Sequence, residues 1–128
     1  MKIADYFETI KDRLLIVSFV ADFKISKQVD RSKNGHFRAR VTFTDNSQLE
    51  FSEFVEQNAD DEIQVVTYSY HWSDENDNII RRWDNTPHFP KLKNFPHHIH
   101  GKKDDVISGK PIDIFGVLDE IGKTLENS

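Results

Sequence analysis

The chain has 128 residues, 37% hydrophobic, 30% charged and 12% aromatic, which is the composition of one globular domain spanning 1–128 rather than of a disordered or fibrous chain. It has no cysteine, so disulfides, thiolate metal sites and cysteine nucleophiles are excluded and histidine is left to carry chemistry near neutral pH. The formal net charge of −5 argues against a uniformly basic nucleic-acid binder.

Ile3, Tyr6 or Phe7, Ile10 and Leu14 recur at steps of three and four, so residues 3–13 read as a short amphipathic helix. From Leu15 the period changes to two, with Val17, Phe19, Ala21, Phe23 and Ile25 apolar, and this predicts a half-buried strand over 15–28. A turn follows at Arg31 to Gly35, with Asn34-Gly35 as its strongest signal. Alternation then predicts strands at 36–44 and 48–56, joined by the Asp45-Asn46-Ser47 turn. After a turn at Asn58 to Asp61, residues 62–72 are dense in β-branched and aromatic side chains. This fourth strand places Tyr70 and Trp72 on one face and Thr67, Ser69 and His71 on the other. Ser73 to Asn78 turns the chain into a fifth strand at 79–84.

Beyond Asp84, three prolines forbid regular pairing, and a long loop to His100 is expected, anchored by Phe89, Leu92 and Phe95. Residues 101–111 read as a surface connection, and a final helix is predicted from about Asp113, whose carboxylate caps it. The expected fold class is α+β: a five-stranded antiparallel meander with N-terminal and C-terminal helices and a long His/Pro-rich loop. The longest apolar run, Leu14 to Val20, is far too short to span a membrane. Asp5 and Glu8 interrupt the start of the chain where a secretory signal would be basic and then apolar, so a cytoplasmic protein with no membrane partner is expected.

Charge is unevenly distributed along this frame. Residues 79–103 hold Arg81, Arg82, Lys91, Lys93, Lys102 and Lys103 against Asp84 as their one carboxylate, and four of the six histidines (His88, His97, His98 and His100) lie there too. A basic, histidine-rich and aromatic segment on an acidic domain suits a phosphate or another anion. Two stretches stand out, Arg81-Arg82-Trp83-Asp84-Asn85-Thr86-Pro87-His88-Phe89-Pro90 and Asn94-Phe95-Pro96-His97-His98-Ile99-His100. Together with Leu49-Glu50-Phe51-Ser52-Glu53 and Tyr68-Ser69-Tyr70-His71-Trp72, they resemble the TumE-type family of toxins from bacterial and archaeal toxin–antitoxin modules. The resemblance implies a toxin neutralised by a cognate antitoxin protein and acting on RNA in the manner of RelE-like toxins.

Read for their chemistry, the same residues suit metal-independent RNA cleavage, which needs a base for the 2′-hydroxyl, an acid for the leaving oxygen, a cation for the phosphorane and no cofactor. Candidate catalytic residues are His98 and His100 for proton transfer, Arg82 as the cation, Tyr70 as a stacking face or relay, and Asp84 to orient an imidazole. His97, His88, Arg81 and Lys102 are candidates for substrate contact. Extended backbone sends His98 and His100 one way and His97 and Ile99 the other, so Ile99 should pack inward while His97 supports the loop or reaches His88. Two other readings stand beside this one: a non-catalytic toxin that binds RNA or protein, and a divalent-metal module using His98 and His100 with His88 or His97. The plain structural alternatives are a hydrogen-bonded sheet position for His71, an ion pair for Arg82 and Asp84, a packed face for Tyr68, Tyr70 and Trp72, and solvated Glu50 and Glu53.

Overall fold

The computed structural model describes residues 1–86, 94–102 and 105–127. Helix α1 (Ile3–Ile16) leads into strands β1 (Val20–Asp30), β2 (Asn34–Phe43), β3 (Gln48–Gln57), β4 (Ile63–Ser73) and β5 (Ile79–Asp84). Short strands β6 (His98–His100) and β7 (Val106–Ser108) precede helix α2 (Ile114–Glu126). All seven strands pair antiparallel in sequence order. The expected meander is therefore present but has seven strands instead of five.

The two added strands come from the segments read as loop and connection. Three residues are too few to show a period, and Pro96 beside them argued for loop. Anchorage by Phe95 is not observed, since its ring is 42% exposed. Phe89, Leu92 and His88 lie outside the described residues.

The first boundary also differs from expectation. Ile3, Phe7, Ile10 and Leu14 all bury, and the helix runs on through Leu15 and Ile16, so β1 begins five residues later than alternation suggested. At the β1–β2 connection the turn is shorter than expected, and Asn34-Gly35 opens β2. Gly35 answers to space there: a Cβ would stand 2.7 Å from the Val29 carbonyl oxygen and 2.8 Å from Ile3 Cγ2. Asn46, Asp61 and Asp77 take positive φ in the β2–β3, β3–β4 and β4–β5 turns, as those turn types require. At the last helix Asp113 caps as expected, its side chain accepting from Gly116 N at 3.0 Å.

Both helices bury one face of the sheet. Ile3, Phe7, Ile10 and Leu14 of α1 and Ile114, Val117, Leu118 and Ile121 of α2 close over Phe37, Val41, Leu49, Phe51, Tyr70 and Trp83. The opposite face carries the polar members of each alternation. Register aligns them in two cross-strand rows, Lys27–Arg38–Ser52–Ser69–Asp84–His98 and Lys24–Arg40–Glu50–His71–Arg82–His100.

Candidate functional site

Asp84 ends β5 and is 3% exposed, although it lies on the polar face. Its Oδ1 accepts from Thr86 N at 3.1 Å and sits 2.7 Å from His98 Nε2. Its Oδ2 lies 3.1 Å from Arg82 Nε, an ion pair without hydrogen-bond alignment, and 3.7 Å from His100 Nε2. One buried carboxylate thus gathers a guanidinium and two imidazoles, which is how a charge this far from water is tolerated.

His98 is gripped from both sides. Its Nδ1–H donates to the Pro96 carbonyl at 2.8 Å, and its Nε2 lies 2.7 Å from Asp84 Oδ1. The ring is buried and holds Asp84 in place, while His100, edge-on to it at 4.9 Å between centroids, and Arg82 are the more open members. The neighbouring Asn85 closes the end of the hairpin, accepting from Tyr68 N and donating to the Val66 carbonyl, each at 2.9 Å. The Asp-Asn pair therefore divides its work between site and scaffold.

The cross-strand row adds His71, which pairs with Arg82 on one side as His100 does on the other. Arg38, Glu50, Ser52, Ser69, His71 and Arg82 line an open cleft of about 350 Å³. Burial, and then the Arg82 charge, hold the His71 imidazole below the ordinary histidine range against the opposing pull of Glu50 and Asp77. His71 is therefore neutral at pH 7. From sequence it reads as a hydrogen-bonded sheet residue, and the β4–β5 register sets it beside Arg82.

Other sequence candidates fall elsewhere. Tyr70 is fully buried on the helix-covered face, its hydroxyl donating to Glu53 Oε2 at 2.6 Å, so neither stacking nor proton relay at Asp84 is open to it. Alternation placed it opposite Arg82 from the start. His97 turns to the same covered side, its Nδ1 2.9 Å from the Tyr68 hydroxyl and its ring stacked on Tyr68, which excludes it as a third ligand beside His98 and His100. Burial and the nearby His98 hold its imidazole below the usual range, and burial and Asp84 push the Tyr68 phenol up to about 12. Arg81 lies over the Trp83 ring and 3.5 Å from Glu120 of α2, and it lines with Lys102 a separate cleft of about 300 Å³. His88 lies outside the described residues. Ile99 packs against the core as expected.

Glu53 also departs from expectation, since it is not solvated but fully buried. It accepts from Tyr6 Oη at 2.6 Å, Tyr70 Oη at 2.6 Å and Ile114 N at 3.0 Å, tying α1, β4 and the start of α2 together. Burial raises its carboxyl above the usual range in spite of these three donors.

The donor atoms of Asp84, His98 and His100 lie within 4.8 Å of one another, a nitrogen and oxygen set that suits a divalent cation. Arg82 already sets a positive charge against the same carboxylate.

These features define an α+β domain with a histidine–aspartate–arginine site on the uncovered face of its sheet. The family model described as Toxin TumE matches residues 7–127, and the chain belongs to the TumE toxin family, which makes it a toxin component. Neither the curated proteins nor the solved structures offer a match to the chain. No helix among the described residues is long and apolar enough to cross a membrane.

Proposed function

We propose that this toxin cleaves RNA at the His71–Arg82–His100 row, and that a cognate antitoxin restrains it in the cytoplasm. The observation that carries the reading is the placement of two imidazoles on the strands either side of one guanidinium. Their Cα atoms stand two strand spacings apart, about 10 Å, so a phosphate held at Arg82 would sit between the two strands that carry them. His71, neutral at pH 7, takes the proton of the 2′-hydroxyl as its oxygen bonds to phosphorus. Arg82 stabilises the charged phosphorane, and His100 in its protonated form gives a proton to the departing 5′-oxygen as the P–O5′ bond breaks. The products are a 2′,3′-cyclic phosphate and a 5′-hydroxyl. Asp84 orients Arg82 and His100, and His98 positions Asp84.

Incubation of the purified protein with excess unstructured RNA in a chelator tests this reading. Many turnovers are expected, with His71→Ala and His100→Ala each about 100-fold slower at unchanged melting temperature. Stoichiometric binding without cleavage would instead make the chain a blocking toxin. Activity abolished by chelation would assign Asp84, His98 and His100 to a divalent cation.

A further inference from the structure

We propose that the uncovered sheet face is a track for single-stranded RNA, with one base stacked at Phe54 and the phosphates following Lys27 and Arg38 to Arg82. The inference rests on the cleavage reading for its destination and on separate residues for its route. Phe54 of β3 is 44% exposed on the face that neither helix covers. The cross-strand His36 lies flat against it, ring centroids 3.8 Å apart and planes 12° from parallel, which fixes a rigid two-ring platform. Burial and the charges of Lys27 and Arg38 hold His36 below the ordinary histidine range, so the ring stacks in its neutral form.

The cleft at this platform is lined by Lys27, Arg31 and Glu56 as well as by Val29 and Val66, so an occupant meets charge beside the rings. The two central rows bring Lys24, Lys27, Arg38, Arg40 and Arg82 to this face against Glu50 and Asp84. Arg38 and Arg40 share the single Glu50 carboxylate, at 2.6 Å and 3.0 Å, and one carboxylate cannot neutralise two guanidiniums. Because the whole chain is at −5, the remaining surface repels a polyanion and the field directs it here. Phe54 and Arg82 lie on β3 and β5, about 16 Å apart by strand spacing and rise, a span that a few nucleotides cover. The strand must be unpaired, since only a splayed base offers its flat surface to an aromatic ring.

Fluorescence anisotropy with a short labelled RNA carrying 2′-O-methyl sugars reads binding alone, because that strand has no nucleophile for cleavage. Tight single-strand binding and weak binding of the matching duplex are expected. Phe54→Ala should weaken single-strand binding about tenfold without lowering the melting temperature. Lys27→Gln and Arg38→Gln should each flatten the dependence of log K on log salt by about 0.7. A duplex that binds as tightly as the single strand, or a Phe54→Ala protein with unchanged affinity, overturns the track. So does absence of binding together with an antitoxin complex that buries Phe54, which would assign the face to a protein. The two readings fail separately: binding through Phe54 without cleavage of an all-ribose strand removes the catalytic row alone, and cleavage by Phe54→Ala at unchanged KM removes the track alone.

Discussion

Replacing Glu53 by alanine removes the group on which α1, β4 and α2 converge. The Tyr6 and Tyr70 hydroxyls and the Ile114 N–H all point at this carboxyl, and Tyr70 and Ile114 have no route to solvent. A buried donor left without a partner costs about 1–3 kcal/mol, and water entering the vacated space recovers part of that, so the net loss is about 3–5 kcal/mol. Unfolding entropy for a chain of 128 residues is about 0.27 kcal/mol/K, which converts the loss into a fall in Tm of about 11–18 °C. Differential scanning calorimetry at neutral pH measures it directly. Glu53→Gln keeps the shape and one acceptor and should fall between the two proteins. A fall of less than about 4 °C in Glu53→Ala would show that the three donors find other partners, and the buried carboxyl would not be the tie described.

Because burial raises the Glu53 carboxyl, its protonated form stabilises the fold below the ordinary carboxyl range, and that contribution is lost as pH rises through the raised value. Melting curves should therefore show Glu53→Gln gaining on the native protein as pH rises above about 4.3; a constant difference would contradict this sign. His71 is lowered partly by Arg82, so Arg82→Ala should move the His71 titration, followed by NMR, upward towards the ordinary value. An unmoved titration would separate the two residues electrostatically. Phe95→Ala should cost under about 1 kcal/mol in denaturant unfolding, because the ring is already 42% exposed; a loss comparable to that of a core phenylalanine would restore it as an anchor.

The helices, the meander order and the polar parity of Arg82, Asp84, His98 and His100 were legible because periods of 3.6 and two persist over enough residues to be read. What escaped the sequence was short or cooperative. Strands of three residues carry no period, and β6 exists because His98 pairs with Asp84 across the sheet. Alternation placed Glu53 on the inner face beside Phe51, yet a carboxyl there looked solvated until Tyr6, Tyr70 and the α2 terminus met it from three distant segments. His71 was on the legible face, but only the β4–β5 register shows it beside Arg82. Tyr70 was a candidate by residue type alone, and its own parity already opposed it.

The most direct test of the sheet-face site compares two short RNAs that differ at one sugar, one all ribose and the other 2′-deoxy immediately 5′ of the mapped cut. In a chelator, the native protein should convert the first to fragments ending in a 2′,3′-cyclic phosphate and a 5′-hydroxyl and leave the second intact. His71→Ala and His100→Ala should cut the all-ribose strand about 100-fold more slowly and leave the other intact. Cleavage of both strands at equal rates, or fragments with 3′-hydroxyl ends, would contradict the acid–base row at His71, Arg82 and His100.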